Sequence, residues 1–185
     1  MSDKFTYSKA MRAAMALVEA LEPACERVAI AGSLRRCLPR VGDIEIVYVP
    51  KIGPAIPEGK LFEEPTDLAA RAIVWLESAG VFERRLNVNG SETFGPKNKL
   101  LRHCPSGIPV DLFATDARCW FNYLVCRTGP ASFNIRVAQR ARELGWMWHP
   151  YGDGFSRSGS AREITSEEDL FQFLGWPFLE PWERA

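Results

Sequence analysis

Asp43 and Glu45, in the run Gly42-Asp43-Ile44-Glu45-Ile46-Val47, form an acid pair spaced i and i+2 inside an otherwise apolar segment. Side chains of a strand alternate between its faces, so the two carboxylates project together while Ile44 and Ile46 turn the other way. Carboxylates held that close repel each other, and a divalent cation with oxygen preference is the usual relief. An acid pair on a solvated edge strand would carry no such meaning. Here Val47 and Val49 extend the acid-bearing face and Ile44, Ile46 and Tyr48 fill the opposite one, which predicts a strand covered on both sides, where unpaired acids are costly. Upstream, the apolar run Val28-Ala29-Ile30 leads to Gly32-Ser33-Leu34-Arg35-Arg36. Gly32 lets backbone approach closely, and Ser33 to Arg36 can open a helix whose free amides favour an anion. Val110-Asp111-Leu112-Phe113 places a third acid on a later predicted strand. Three acids and a phosphate-cradling turn are what two oxygen-ligated cations and a triphosphate require.

The Gly-Ser turn with two arginines, followed by Gly-Asp-hydrophobe-acid, resembles the signature of the polymerase beta-like nucleotidyltransferases. Thr128-Gly129-Pro130-Ala131-Ser132-Phe133-Asn134 is similar to the thumb motif of family X DNA polymerases, and Glu180-Pro181-Trp182-Glu183-Arg184 resembles the way those chains finish. The resemblance covers the chain from about residue 10 to the C-terminus. It implies a DNA-directed DNA polymerase that adds dNTPs to a primer 3'-hydroxyl with two Mg or Mn ions, on primer-template or gapped DNA, in gap-filling repair. Asp43 and Glu45 would bridge both ions and Asp111 would hold the one at the hydroxyl. Gly32, Ser33 and Arg36 would bind the triphosphate. Residues from Cys126 to Asn134 would line sugar and base, with Arg127 and Gly129 among them, Asn134 offered to the minor-groove edge and Ala131 against the base. The family carries a cis peptide after the matching glycine, which predicts a cis Gly129-Pro130 bond here. Arg35, beside Arg36, reads as either a second triphosphate contact or a surface charge.

This sequence departs from the family pattern at several places. Glu45 replaces the usual aspartate. An aromatic pair that screens against the ribose 2'-hydroxyl is Cys126-Arg127 here, which puts sugar selectivity in doubt. Ala138 and Pro109 stand where arginines are often found, and both changes remove cations near the nascent base pair.

The composition is that of an ordinary globular chain: 185 residues, 46% hydrophobic, 25% charged and a formal net charge of +0. Neutrality excludes a broadly basic coat, so nucleic-acid contact must come from local clusters. Arg127, Arg136, Arg140 and Arg142 on or near one predicted helix, and Lys97, Lys99 and Arg102 on palm strands, are the candidates. Trp146, Trp148 and Trp176 read as core rather than as stacking platforms. Five cysteines without a Cys-x-x-Cys pair fit a reducing compartment, and His103-Cys104 reads as strand residues rather than metal ligands. No stretch has the character of a secretory signal or a membrane span. The expectation is a monomer with no membrane partner, in a cytoplasmic, nucleoid-associated or viral setting.

The predicted fold is α+β: a mixed or antiparallel palm sheet with helices on one face over residues 1–114, and a small helical and hairpin thumb over 115–185, without lyase or DNA-binding helical domains. Ser8 caps a first helix burying Met11, Met15, Val18 and Leu21. Pro50 to Pro65 is a loop, and Thr66 begins a helix ended by Gly80. Strands follow at Val81–Leu86, Lys97–Cys104 and Ile108–Ala114. Asp116 caps a helix through Trp120 to Val125, a second runs from Pro130 to Leu144, and a hairpin turns at Gly152-Asp153-Gly154. Thr165 and Glu168 make a capping box for the last helix. Two other functions fit the same residues: a small nucleotidyltransferase acting on RNA, protein or a small molecule, and a non-catalytic module binding nucleotide or a DNA end.

Overall fold

The computed structural model describes residues 4–55, 62 and 64–184. Strand β1 (Phe5–Thr6) leads into helix α1 (Tyr7–Leu21), which buries Ala10, Ala13, Ala14, Leu17 and Leu21. The methionine stripe expected to be buried lies to one side, with Met15 61% exposed. Alanines at helical spacing let the helix axis approach the sheet, and the longer side chains are turned to the rim. Ser8 lies inside the helix, and Thr6 takes the N-cap position without a side-chain bond.

After a single 3-10 turn come β2 (Cys25–Ile30), the one-turn helix α2 (Gly32–Arg35), β3 (Arg40–Val41), paired with β1, and β4 (Ile44–Pro50). The span predicted as a loop holds a hairpin instead: β5 (Ile52–Ala55) pairs antiparallel with β6 (Glu64–Asp67), Pro54 opposite Pro65. Its central part, residues 56–61 and 63, lies outside the described residues. Proline there argues against a central strand, yet a two-stranded ribbon has only edges, where a missing amide is tolerated. Helix α3 (Leu68–Ser78) starts two residues later than predicted, because Asp67 rather than a threonine caps it, accepting from the Ala70 amide at 2.8 Å.

Strands β7 (Phe82–Arg84), β8 (Asn98–His103) and β9 (Ile108–Ala114) complete a five-stranded mixed sheet in the order β2-β4-β9-β8-β7. β4 and β9 are parallel and the other neighbours antiparallel. One face of β4, with Ile44, Ile46 and Tyr48, packs into the core under α1 and α3. The other, with Val47 and Val49, packs with Phe113 against Trp120, Tyr123 and Leu124 of α4 (Trp120–Thr128). Both faces are covered, as the near-continuous apolar run predicts.

Beyond α4 lie α5 (Ala131–Glu143), a three-stranded sheet of β10 (Met147–Trp148), β11 (Gly154–Arg157) and β12 (Ser160–Glu163), and α6 (Glu167–Phe173). The sequence reading missed β12, a polar Ser-Ala-Arg-Glu segment with no apolar alternation. It also placed the last cap one residue early: Ser166 accepts from the Asp169 amide at 3.0 Å, while Asp169 reaches back to the Thr165 amide at 2.9 Å. Phe133, Val137, Trp148, Phe155, Leu170 and Phe171 are the core of this unit, and Trp146 and Trp176 pack against it as expected. Asn122, fully buried on α4, ties the β10–β11 turn down: it donates to the carbonyls of His149 and Gly152, both at 2.8 Å, and accepts from Trp148 Nε1 at 2.7 Å. Asn122→Ala leaves the Gly152 carbonyl and Trp148 Nε1 unmatched, the His149 carbonyl keeping its bond from the Gly152 amide, and is expected to cost about 2 kcal/mol, read as a lower urea midpoint at unchanged m-value.

Candidate active site

Parallel pairing of β4 with β9 sets Glu45 opposite Asp111. Alternation sends both carboxylates to the face that carries Val47 and Phe113, and Asp43 follows on the residue just before β4. A one-residue slip of either strand would send its acid to the opposite face. All three acids are raised from their ordinary values. Burial pushes Glu45 up to about 7, with the charges of Asp43 and Asp111 adding to it. Asp43 is raised by burial and by Asp111, and Asp111 by burial, with Arg85 opposing.

The turn that follows β2 is fastened to the same strand, the Ala31 amide donating to the Glu45 carbonyl at 2.8 Å. Gly32 has φ +61°, and a Cβ there would stand 2.0 Å from Glu45 Oε2, so both backbone geometry and space exclude a side chain. The two arginines of α2 part company. Arg36 reaches the Thr128 carbonyl at the end of α4. Arg35, weighed above as a surface charge, donates to Thr128 Oγ1 at 2.8 Å and to Glu167 at 2.5 Å. Glu167 also accepts from Arg184 at 2.5 Å, so a carboxylate shared by two guanidiniums binds α2, α6 and the chain end together.

Ser33, Arg36, Asp43, Glu45, Arg127, Gly129 and Asn134 line one cavity of about 320 Å³. That gathers the sequence-predicted residues except Gly32, which backs Glu45 from behind, and Asp111. Asn134 turns its amide nitrogen to the Cys126 carbonyl at 2.8 Å and leaves its buried Oδ1 without a partner. Gly129-Pro130 is cis, as expected. Tyr151, from the clamped β10–β11 turn, is a wall of this cavity that sequence reasoning missed. It also borders a larger neighbouring cavity of about 560 Å³ beside Lys97, Asn98 and Asp116.

Asp111 is engaged by Arg85, which also escaped the sequence reading. Pro109 removes an arginine from Asp111's own strand, but Arg85 brings one back from beyond β7: its amide donates to Leu100, the residue paired with Asp111 on β8. Only the strand register reveals that adjacency. Among the described residues no three His, Cys, Asp or Glu side chains stand grouped as a metal site. The donor set nonetheless fits a hard divalent cation: three all-oxygen ligands, each raised by burial, two of them further by the others' charge. Among the proposed DNA contacts, Lys99 is withdrawn. It is 3% exposed and donates to Tyr48 Oη at 3.2 Å and the Gly95 carbonyl at 3.0 Å. Arg140 likewise serves the fold, donating to the Leu174 carbonyl at 3.0 Å.

The raised Glu45 carboxyl has a definite linkage. The folded chain holds this proton between pH 4.5 and about 7, where an unfolded glutamate has lost it. Stability therefore falls as pH rises through that window and the full penalty is present above it. A bound divalent cation requires the carboxylate, so proton release on Mn²⁺ binding should be larger at pH 6 than at pH 8. Calorimetry in buffers of different ionisation enthalpy measures it, and equal release at the two pH values would refute the linkage.

The sheet turns its acids toward the helical unit, beside the turn that follows β2. The sequence model of the DNA polymerase beta thumb matches residues 123–185. No curated protein matches the chain. Among solved structures, Leishmania infantum polymerase beta in a ternary P/T complex is similar over 99% of this chain and 77% of its own, at 19% identity and TM-score 0.76. The same polymerase in a ternary gap complex is similar over 99% and 71%, at 18% identity and TM-score 0.75. At those identities the likeness establishes the fold. The chain has an α+β fold of the polymerase beta type, and its residues 123–185 carry the polymerase beta thumb.

Proposed function

We propose that the protein is a DNA-directed DNA polymerase that adds dNTPs to a primer 3'-hydroxyl, in gap filling, with residues 1–114 as palm and 115–185 as thumb. The observation that carries this reading is the register of Glu45 against Asp111, which sets a third acid beside the cavity that joins the Ser33–Arg36 turn to Asn134. The gap and P/T complexes of the similar Leishmania polymerase support DNA as the acceptor.

In this reading Ser33 and the amides of α2 bind the triphosphate, and the planar fork of Arg36 neutralises its outer phosphates. Arg36 also holds the Thr128 carbonyl, so the triphosphate turn and the thumb helix are set by one side chain. The 3'-hydroxyl oxygen bonds to the α-phosphorus as the bond to the bridging oxygen of pyrophosphate breaks. Two Mg or Mn ions held by Asp43, Glu45 and Asp111 would supply Lewis-acid activation of the hydroxyl and neutralise the leaving group. Asp111 lies on the strand farther from α2, the side from which an acceptor end would come. Asn134, which lines the cavity with its Oδ1 unpartnered, would be offered to the base.

Incubation with Mg or Mn, labelled primer on gapped template and each dNTP tests the proposal. Template-directed extension is the expected result. Labelling of RNA alone, or extension that ignores the template, would transfer the same site to the small-nucleotidyltransferase reading. Nucleotide binding with no incorporation on any acceptor would leave a non-catalytic module.

A further inference from the structure

Register lines up a row of residues across the five-stranded sheet. The Ala31 amide bonds to the Glu45 carbonyl, Glu45 pairs with Asp111, Asp111 pairs with Leu100, and the Leu100 carbonyl accepts from the Arg85 amide at 3.1 Å. Residues opposite one another in a ladder share a face, so Glu45, Asp111, Leu100 and Arg85 point the same way. Neighbouring strands are spaced about 4.8 Å, which sets the Arg85 backbone about 10 Å beyond that of Asp111, on the side away from α2.

Arg85 uses one nitrogen on that span. Its Nη2 donates to Asp111 Oδ1, and its Nε is enclosed and takes no part. Among the described residues Nη1 has no acceptor, and it is not enclosed, the side chain being 23% exposed. The neighbouring cations are already answered. Arg84, on the opposite face of β7, holds Glu77 at 2.7 Å, and Arg102, on the acid-bearing face, holds Glu83 at 2.9 Å.

In-line transfer fixes what arrives at Nη1. With the triphosphate on Ser33 and Arg36, pyrophosphate leaves toward α2, and the attacking hydroxyl enters from the opposite side, over β9 and β8. The hydroxyl stands at Asp111, so the next unit of the acceptor falls over Leu100 and Arg85. A polynucleotide carries an anion there, the phosphodiester on the 5' side of its last sugar, whereas a protein hydroxyl or a simple alcohol carries none. A guanidinium with one nitrogen on a carboxylate and another turned outward can hold that phosphodiester at the same time.

We propose that Arg85 reads the acceptor: Nη1 donates to the last phosphodiester of a polynucleotide end while Nη2 keeps Asp111 in place. The inference rests on the nucleotidyl-transfer reading above.

The test is a cycle of kcat/KM on two gapped DNAs, one with a natural last primer linkage and one with an uncharged methylphosphonate there, for the wild type and Arg85→Gln. The wild type is expected to lose about tenfold or more on the uncharged primer, and the variant less than about threefold. A methylphosphonate placed about four linkages upstream should cost the two proteins the same. A wild type indifferent to the last charge, or an equal loss in both proteins, overturns the inference while polymerase activity stands. Where Arg85→Gln melts below the wild type, Arg85→Lys takes its place: dependence on the last charge should fall by at least about threefold, and undiminished dependence overturns the inference. Should no nucleotide be incorporated, fluorescence anisotropy of the same two DNAs decides. A preference for the charged linkage that Arg85→Gln abolishes upholds the contact after the polymerase reading has failed, and no preference, or one that the variant keeps, rejects both.

Discussion

Asp111→Asn is expected to lower single-nucleotide incorporation on gapped DNA by on the order of a thousandfold while the protein melts within a few degrees of the wild type. The two halves of this result have different causes. Asparagine keeps the shape of the side chain but cannot serve as an anionic ligand to the ion proposed at the hydroxyl, so the loss falls on the reacting step. Stability is spared because the charge being removed is already disfavoured: burial raises the Asp111 carboxyl, and its charge raises both Asp43 and Glu45. Against that gain stands the loss of the Arg85 contact, where Arg85 retains 23% side-chain exposure and can turn to water. Gap-filling rate and thermal melting, measured on the same preparation, read the two terms separately. A variant that keeps a tenth or more of the activity would remove Asp111 from the chemistry. One that loses activity only because it unfolds would make it a structural residue.

The second large effect lies away from the cavity. Glu167→Ala is expected to destabilise the protein by about 3–5 kcal/mol, because it strands Arg184, whose side chain has 0% exposure, as a buried charge without a counterion. For a chain of this length that corresponds to a fall of about 10 °C in melting temperature. Glu167→Met combined with Arg184→Met removes the charge together with its partner, and should recover most of the loss. A single variant within about 1 kcal/mol of wild type would show that the network is not buried in solution. The same substitution frees Arg35, which keeps its bond to Thr128 but loses its tie to α6. The KM for the nucleotide should therefore rise more than kcat falls, since α2 carries Ser33 and Arg36.

What the sequence made legible follows from how local the determining physics is. The faces of β4 could be read from alternation alone, because a period of two leaves no choice about which side Glu45 shares with Val47. The Ser33–Arg36 turn, the break at Gly129-Pro130 and the helices flanking it carry their own signals in glycine, proline and helical spacing. The errors arose where two segments distant in sequence decide the outcome. Residues 52–55 and 64–67 are poor strand formers singly and make a ribbon only by pairing with each other. β12 is polar because it is an edge, and edges need no buried face. Met15 yields its predicted place to alanines because the distance between α1 and the sheet is a tertiary quantity. Arg35 and Arg85 are the sharper cases. Each is an arginine among charged neighbours in sequence, and each finds its carboxylate only through the fold: Glu167 across the interface with α6, Asp111 across two strands. Nothing in the residue types beside them distinguishes these two arginines from solvated ones.

The close approach at Gly32 ties two distant codons into a single heritable choice. Glu45 is longer than an aspartate, and its carboxylate tip occupies the volume that a methyl group at position 32 would require. Shortening Glu45 would open that space, yet the positive φ of residue 32 would still penalise any occupant but glycine. A saturation library at position 32 should accordingly return glycine alone while glutamate stands at 45, and admit residues that tolerate a positive φ, as Cys37 does at +58°, only once the acid is shortened to aspartate. Descent at this site has one open direction.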